Sequence, residues 1–260
     1  MNNLSGKWAL VTGASAGLGE QFALQLAEMG ASLVLVARRK ERLDKLAQSL
    51  REQYKVEVVV LAQDLSKHGA PANLFAATEG SGKPITVLIN NAGLGVHKTF
   101  LDQTSHQLQE QIHVNILALT ELTHLFGGAM SQRKEGYILN VASVAAFMPI
   151  PGYATYAATK AYVLSLSDAV AHELAEQGVH VSCLCPGATA TEFMDVAGHQ
   201  LQDWQKKFLM ASDECVRVGL DGLFAGSRTT VAGWMNKMVT QSLRLLPRRA
   251  VVASSAKIMA

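Results

Sequence analysis

Tyr156 and Lys160 stand four residues apart in Tyr156-Ala157-Ala158-Thr159-Lys160. Side chains at that spacing stack on one face of a helix. A free phenol titrates near about 10, and an adjacent ammonium stabilises the phenolate and lowers that value. Such a phenol can give a proton to an oxygen, or take one back, near neutral pH. Ser143, thirteen residues before Tyr156, carries a hydroxyl that can hydrogen-bond the same oxygen as charge develops on it. Tyr153, seven residues before Lys160, could share the lysine's face.

A second constellation lies near the start of the chain, in Thr12-Gly13-Ala14-Ser15-Ala16-Gly17-Leu18-Gly19. The first glycine permits a sharp turn where a strand ends. The second lets a pyrophosphate approach the backbone, and the third permits close helix–strand packing. The exposed N–H groups and the helix dipole then face the anion. Further on, Val36-Ala37-Arg38-Arg39-Lys40 closes a strand-like run. A dinucleotide site with free ribose hydroxyls usually has an acidic residue here. Ala37 stands instead, and Arg38 follows it. With no carboxylate to repel it, a 2′-phosphate can bind the Arg38 guanidinium, and Arg39 or Ser15 could assist.

These residues need a scaffold, and the hydrophobic pattern supplies one. Apolar strand-like runs fall at Trp8–Thr12, Ser32–Ala37, Val56–Leu61, Val87–Asn90, Tyr137–Ala142 and Val179–Cys185. Helical spacing fills Leu18–Met29, Lys40–Gln53, Thr104–Ser131 and Thr155–Gln177. Uniformly apolar strands alternating with helices predict a parallel sheet covered on both faces, with right-handed crossovers. The expected fold is α/β: a Rossmann-type, doubly wound parallel sheet in a single domain spanning 1–260. After Pro186 the pattern predicts a mobile loop over about 187–210, a helix at Ser212–Gly226 and a short last strand at Thr229–Ala232. A helical segment over about 233–260 follows, with Trp234–Leu246 stopped by Pro247 and a basic tail behind it.

The glycine spacing Gly13-x-x-x-Gly17-x-Gly19 resembles the short-chain dehydrogenase/reductase family, and the rest of that family's pattern follows in order. Asn90-Asn91-Ala92-Gly93 comes after the fourth strand and Asn115 in the next helix. Ser143 comes after the fifth strand, Tyr156-x-x-x-Lys160 on the helix beyond it, and Pro186-Gly187 after the sixth strand. The resemblance covers about residues 5–195. It implies hydride transfer between a nicotinamide cofactor and a carbonyl or alcohol, with Ser143, Tyr156, Lys160 and Asn115 as the catalytic set. By the same resemblance Tyr156 is the proton donor, leaving Tyr153 free to touch substrate. Lys160 would hydrogen-bond the nicotinamide ribose, and Asn115 would hold a water linking Lys160 to a proton relay.

The resemblance also supports NADP(H) as cofactor, as the Ala37–Arg38 pair does. It implies contacts from the glycine turn, from Asp64 and Leu65 to the adenine, and from Asn91, Ala92 and Gly93. Asp64 could equally cap a helix after Leu65. Pro186 and Gly187 would wall the nicotinamide, and Thr189 or Thr191 would bond its carboxamide. Val144, Phe147, Met148, Ile150, Phe193 and Met194 predict a hydrophobic carbonyl substrate. His97, though near that pocket, is not expected to act. Family members form dimers or tetramers through their long helices, so a homodimer or homotetramer is expected. A specific hydroxysteroid or 3-oxoacyl dehydrogenase is an alternative, as is a catalytically silent NADP-binding sensor or scaffold.

Composition narrows the rest. The 260 residues are 49% hydrophobic and 17% charged, which excludes intrinsic disorder. A net charge of +2 gives no reason to expect bulk nucleic-acid binding. Cys183, Cys185 and Cys215 cannot build a disulfide framework, and Cys183 and Cys185 read as two small apolar side chains on one strand face. The polar start shows no signal peptide and no run is long enough to span a membrane, so a soluble cytoplasmic protein is expected. The Trp234–Leu246 helix is expected to pack in the core or against another subunit, with a membrane surface as the alternative.

Overall fold

The computed structural model describes residues 3–200, 202–206 and 209–259. Parts of the expected 187–210 loop (201, 207 and 208) lie outside them, as do 1, 2 and 260. Seven strands form one parallel sheet: β1 (Trp8–Thr12), β2 (Ser32–Ala37), β3 (Val58–Ala62), β4 (Ile85–Asn90), β5 (Gly136–Val141), β6 (Val179–Cys185) and β7 (Thr229–Val231). Their order is β3-β2-β1-β4-β5-β6-β7. The chain winds outward from β1 to β3, then returns to the other side of β1 with β4. That reversal opens a crevice beyond the carboxyl ends of β1 and β4, where such sheets bind ligands.

Both faces are covered, as apolar strands require. The first helices are α1 (Gly17–Glu28), α2 (Lys40–Tyr54), α3 (Ala70–Thr78), α4 (Ser105–Ile112), α5 (Leu119–Arg133) and α6 (Ala154–Leu174). They are followed by α7 (Phe193–Ala197), α8 (Asp203–Lys206), α9 (Ser212–Phe224), α10 (Trp234–Ser242) and α11 (Arg248–Met259). Strand alternation divides the core. Ala9 and Val11 face Phe22 and Leu26 of α1, Leu43 of α2 and Leu220 of α9. Leu10 faces the opposite layer, with Leu74 of α3 and Leu122, Phe126 and Met130 of α5. Cys183 and Cys185 are free, buried and on one face, with their sulfurs 4.0 Å apart.

Four local readings change. The expected Thr104–Ser131 helix is interrupted: α4 starts from a capping box between Thr104 and Gln107, and a π-helical turn at His113–Ala118 precedes α5. The wider turn is where Asn115 leaves the helix surface to bond a neighbouring loop, and π-turns of this kind cluster at functional sites. β3 begins two residues later than its apolar run, because α2 ends in a left-handed cap at Lys55 (φ 57°) and Val56–Glu57 form the lead-in. No helix follows Leu65 directly. Asp64 instead accepts hydrogen bonds from the Ser66 N–H (3.0 Å) and hydroxyl (2.8 Å), closing a local turn, and α3 starts at Ala70. Finally, α10 is not core: Trp234 is 76% and Met238 67% exposed, while its packed side carries Thr240 and Asn236.

Candidate active site

The glycine turn joins β1 to α1, and space dictates its composition. A Cβ on Gly13 (φ 68°) would meet Asn91 Nδ2 at 2.8 Å, and one on Gly19 would collide with the Gly13 carbonyl. Gly17 (φ 57°) faces the Thr191 side chain, whose Cβ would be 3.0 Å from an added methyl. Helix α1 is capped by Ala16, which has no side chain to accept from the first turn. The N–H groups around Gly17, Leu18 and Gly19 are therefore left for a ligand, and an anion suits both them and the helix dipole. A cradle that admits no side chain, with uncapped donors at its base, fits a dinucleotide pyrophosphate.

The β4 loop is locked to this turn. The Thr12 hydroxyl donates to the Ile89 carbonyl (3.2 Å) and accepts from the N–H groups of Asn91 and Ala92, both at 3.0 Å. The Asn91 amide donates to the Thr12 carbonyl at 2.9 Å. Thr12 was not singled out in the sequence, although its position as the last residue of β1, before the glycines, is where such a clamp must sit. Asn115 clamps the same loop one residue beyond Gly93: it accepts from the Leu94 N–H and donates to the Leu94 carbonyl, each at 2.8 Å, and donates to the Thr159 hydroxyl at 3.0 Å.

Lys160 reaches this point from α6. Its ammonium donates to the Val141 carbonyl at the end of β5 (2.7 Å). A Cβ on Gly93 would stand 3.3 Å from Lys160 Nζ and 3.5 Å from Asn115 Oδ1, so these three residues converge. The ammonium also lies over the Tyr156 ring, 5.7 Å from its centre. Ser143 follows β5; its hydroxyl accepts from the Ala145 N–H at 3.1 Å and faces the Pro186 carbonyl at 3.5 Å. It also lies close enough to the Tyr156 phenol to favour its ionised form. The strand ends of β5 and β6 and one helix thus bring Ser143, Tyr156 and Lys160 together.

The electrostatics correct one expectation. Burial pushes the Tyr156 phenol up to about 12, against a smaller opposing pull from Ser143 and with a further push from Cys185. Burial lowers Lys160 to about 8, while nearby Cys183 and Cys185 act the other way. Desolvation is the largest influence on both groups and moves them in opposite directions. Burial thus favours the neutral form of both groups.

On the adenosine side, Arg39 Nε donates to the Ser15 hydroxyl at 3.2 Å, and its Nη1 pairs with Glu192 at 3.1 Å. Arg38 pairs with Glu110 of α4 at 3.0 Å, and its charge also acts on Asp64. Asp64 and Leu65 lie just beyond β3, with Leu65 buried. The Asp64 carboxyl is held below the ordinary carboxylate value: burial would raise it, but the Ser66 hydrogen bonds and the Arg38 and Lys67 charges prevail. Glu192, Arg42 and Glu110 carried no signal in the sequence, since lone charges on helices and loops are usually solvated.

Beyond β6, Gly187 lies under the Asn236 amide, with no room for a Cβ, and the Pro186 carbonyl accepts from Val144 at 2.9 Å. The Thr189 hydroxyl donates to the Gly187 carbonyl at 3.1 Å, while Thr191 leans on Gly17. Phe193 packs against Tyr156, with centroids 5.3 Å apart. Tyr153 is buried beside Tyr156 and shares a hydrogen bond with His199 Nδ1 at 3.1 Å. His97 stacks on both Tyr153 (4.9 Å) and His199 (4.3 Å). His97 and Tyr153 thus act as packing partners of the loop, and His199 was not foreseen. Ala145, Ile150, Tyr153, Ala157 and Ala197 form a small apolar cluster beside the phenol.

The family model described as short chain dehydrogenase matches residues 7–202. A very-long-chain 3-oxoacyl-CoA reductase of Pyrenophora tritici-repentis is 38% identical over 69% of this chain and 54% of its own length. The chain spans about half to two thirds of the curated relatives it matches. Among solved structures, a short-chain dehydrogenase from Sphingobium yanoikuyae in complex with NADPH is 34% identical, with a TM-score of 0.82 over 94% of this chain and 97% of that one. A 7beta-hydroxysteroid dehydrogenase is 28% identical, with a TM-score of 0.89 over 98% and 99%. The matched span runs from β1 into the loop after β6 and holds every residue of the converging set, so the chain belongs to the short-chain dehydrogenase family.

Proposed function

We propose that this protein is an NADP(H)-dependent oxidoreductase that interconverts a hydrophobic ketone and its alcohol. The observation that carries the reading is the convergence of Ser143, Tyr156 and Lys160 beside the uncapped glycine turn. The dinucleotide, when bound, supplies the hydride for the carbonyl carbon or accepts it from the alcohol. Tyr156 donates its phenolic proton to the carbonyl oxygen in reduction and takes it back in oxidation. Ser143 hydrogen-bonds the same oxygen as negative charge grows on it. Lys160 stabilises the phenolate that proton donation leaves, and Asn115 holds the Leu94 backbone against the site. By the family resemblance, Lys160 also holds the nicotinamide ribose, and a water on Asn115 completes the relay.

The preference for NADP(H) rests on Ala37, which leaves no carboxylate at the end of β2, and on the two arginines after it. Its bond to Ser15 in the turn supports Arg39 as the partner of the 2′-phosphate, with Arg38 in support. The apolar cluster beside Tyr156 suits a ketone on a bulky apolar body. The names of the relatives, a 3-oxoacyl-CoA reductase and a hydroxysteroid dehydrogenase, point to acyl chains or steroids as the first substrates to try. Exposed Ile112, Leu117 and Tyr162 on α4, the π-turn and α6 support a homodimer or homotetramer joined through that face.

Purified protein is to be screened against 3-oxoacyl thioesters, hydroxysteroids and bulky ketones while NADPH absorbance is followed. Turnover of at least one hydrophobic carbonyl, faster with NADPH than NADH, is expected. Tight NADPH binding without turnover of any of these would favour a silent sensor instead.

A further inference from the structure

Glu192 lies in the loop after β6, immediately before α7, and it carries two ion pairs. One oxygen meets Arg39 Nη1 at 3.1 Å, and both oxygens face Arg42 Nη1, at 2.8 and 3.0 Å. Arg39 is the arginine that also bonds Ser15, through Nε to the hydroxyl at 3.2 Å and through Nη2 to the carbonyl at 3.4 Å. One guanidinium is therefore shared between the glycine turn and a carboxylate from the substrate loop. All three charged side chains are about half exposed, and Glu192 and Arg42 are joined through these ion pairs while Arg39 is also tied to Ser15. The loop beside Glu192 is placed by its neighbours, Thr191 against Gly17 and Phe193 against Tyr156. The carboxylate is thus delivered to the arginine from a fixed point.

A carboxylate and a phosphate monoester ask the same of a guanidinium: two parallel N–H bonds to two anionic oxygens. We infer that Glu192 is a built-in competitor for the 2′-phosphate, occupying on Arg39, with Arg42 as its second anchor, a donor that NADPH requires and NADH does not. The inference rests on the proposed cofactor reading and deepens it: Glu192, on the substrate side, sets how strongly the adenosine side prefers a phosphorylated ribose. Binding of the phosphate must release Glu192 from Arg39 or meet its negative charge. NADH meets no such contest, because free ribose hydroxyls carry no charge and need no guanidinium. Both arginines hold the Glu192 carboxyl below the ordinary value, so it is ionised wherever the cofactor is.

The test is Glu192→Gln, which keeps shape and size and removes the charge. Titrations of wild type and variant with NADPH, NADH, 2′,5′-ADP and 5′-AMP separate the phosphate's contribution from everything else. Removing a competitor held by two exposed ion pairs should tighten NADPH and 2′,5′-ADP by about three- to tenfold. NADH and 5′-AMP should change by less than about twofold, within what exposed charges contribute. The gain should shrink as salt is raised, because exposed charges are screened. Weaker NADPH binding in the variant would show that Glu192 orients Arg39 rather than competes with the phosphate, and would overturn the inference. So would equal changes for all four ligands. If instead the wild type binds NADPH and NADH alike and Arg39→Ala alters neither, the cofactor reading itself fails, whatever Glu192→Gln does.

Discussion

The two walls of the cofactor crevice are built from different interactions. The wall at β1, β4 and α6 is a buried hydrogen-bond network: Thr12 to Asn91 and Ala92, Asn115 to Leu94 and Thr159, and Lys160 to Val141. Asn115 is 1% and Lys160 4% exposed. The wall at the end of β2 and the loop after β6 is a chain of exposed ion pairs, Arg38–Glu110, Arg39–Glu192 and Arg42–Glu192. Buried polar groups must keep their partners or lose about 1–3 kcal/mol each, whereas exposed ion pairs contribute about 0–1 kcal/mol and exchange partners freely. On the proposed function, one wall holds the proton donor in place, and the other offers charges to a ligand that brings its own. Substitutions in the first wall should therefore act on chemistry and stability, and those in the second on cofactor choice.

The largest effect is expected at the proton donor. Tyr156→Phe keeps the ring against Phe193 and removes the acid, so turnover should fall about 10²- to 10⁴-fold with NADPH affinity nearly unchanged. Tyr153→Phe loses only the hydroxyl's contacts to His199 and to the Met194 sulfur and should retain most turnover. If Tyr153→Phe were the silent variant and Tyr156→Phe the active one, the roles within the rigid wall would be exchanged.

Asn115→Ala tests whether that wall is rigid because it is fully bonded. The change leaves the partly buried Leu94 N–H and carbonyl without their partner, while the Thr159 hydroxyl keeps its bond to the Tyr156 carbonyl. Stability should fall by about 2–3 kcal/mol, read as a lower midpoint in thermal or urea unfolding. Turnover should fall with it, because Leu94 is the loop residue next to the site. A stable Asn115→Ala protein with normal turnover would mean that the π-turn serves packing alone.

The acidity of the pair gives a third test. Reduction needs Tyr156 protonated and Lys160 charged. With the phenol up at about 12 and the lysine down at about 8, the first condition holds throughout the neutral range, and the second is lost as pH rises through 8. The rate of NADPH-dependent reduction should therefore fall above pH 8, approaching about tenfold per unit. Oxidation of the alcohol needs the phenolate and should instead gain as pH rises, until loss of the ammonium limits it. A reduction rate that stays level to pH 10 would show that bound cofactor holds the lysine charged well above 8.

How much of this was legible in the sequence follows the same division. The rigid wall is written in local patterns: glycines where only a missing Cβ fits, and a tyrosine and lysine at helical spacing. Apolar runs located the strands that bring these residues to one edge. Thr12 and the Asn115 π-turn were less visible, because a hydroxyl or amide bonding a distant backbone leaves no periodic trace. The exposed wall was legible only in part. Ala37 and the two arginines marked a phosphate site, but which arginine faces it depends on Glu110 and Glu192, 72 and 153 residues from their partners. Such pairings are settled by the fold and have no local signature. The acidity of Tyr156 was misjudged for a related reason: charge neighbours can be read from spacing, but the burial that outweighs them cannot.

The smallest effect is expected where the two arginines are compared. Arg39 lies on Ser15 in the glycine turn, so Arg39→Ala should weaken NADPH by about tenfold, the worth of one charge-assisted bond near 1.5 kcal/mol, and leave NADH nearly unchanged. Arg38 is 55% exposed and already engaged by Glu110, which is the more buried partner at 26%. Each arginine must exchange a carboxylate for the phosphate, Glu110 for Arg38 and Glu192 for Arg39, but only Arg39 is also bonded to Ser15 in the turn. Arg38→Ala should therefore weaken NADPH only about two- to threefold, in the range of a screened exposed charge. Its second consequence is local: Arg38 is one of the charges that hold the Asp64 carboxyl low, so Asp64 should titrate at a higher pH in the variant, observable by NMR. Side-by-side titrations of both variants with both cofactors decide the matter. A tenfold loss in Arg38→Ala with little change in Arg39→Ala would show that Arg38 swings off Glu110 onto the phosphate, and that the exposed wall is rearranged by its ligand rather than shaped for it.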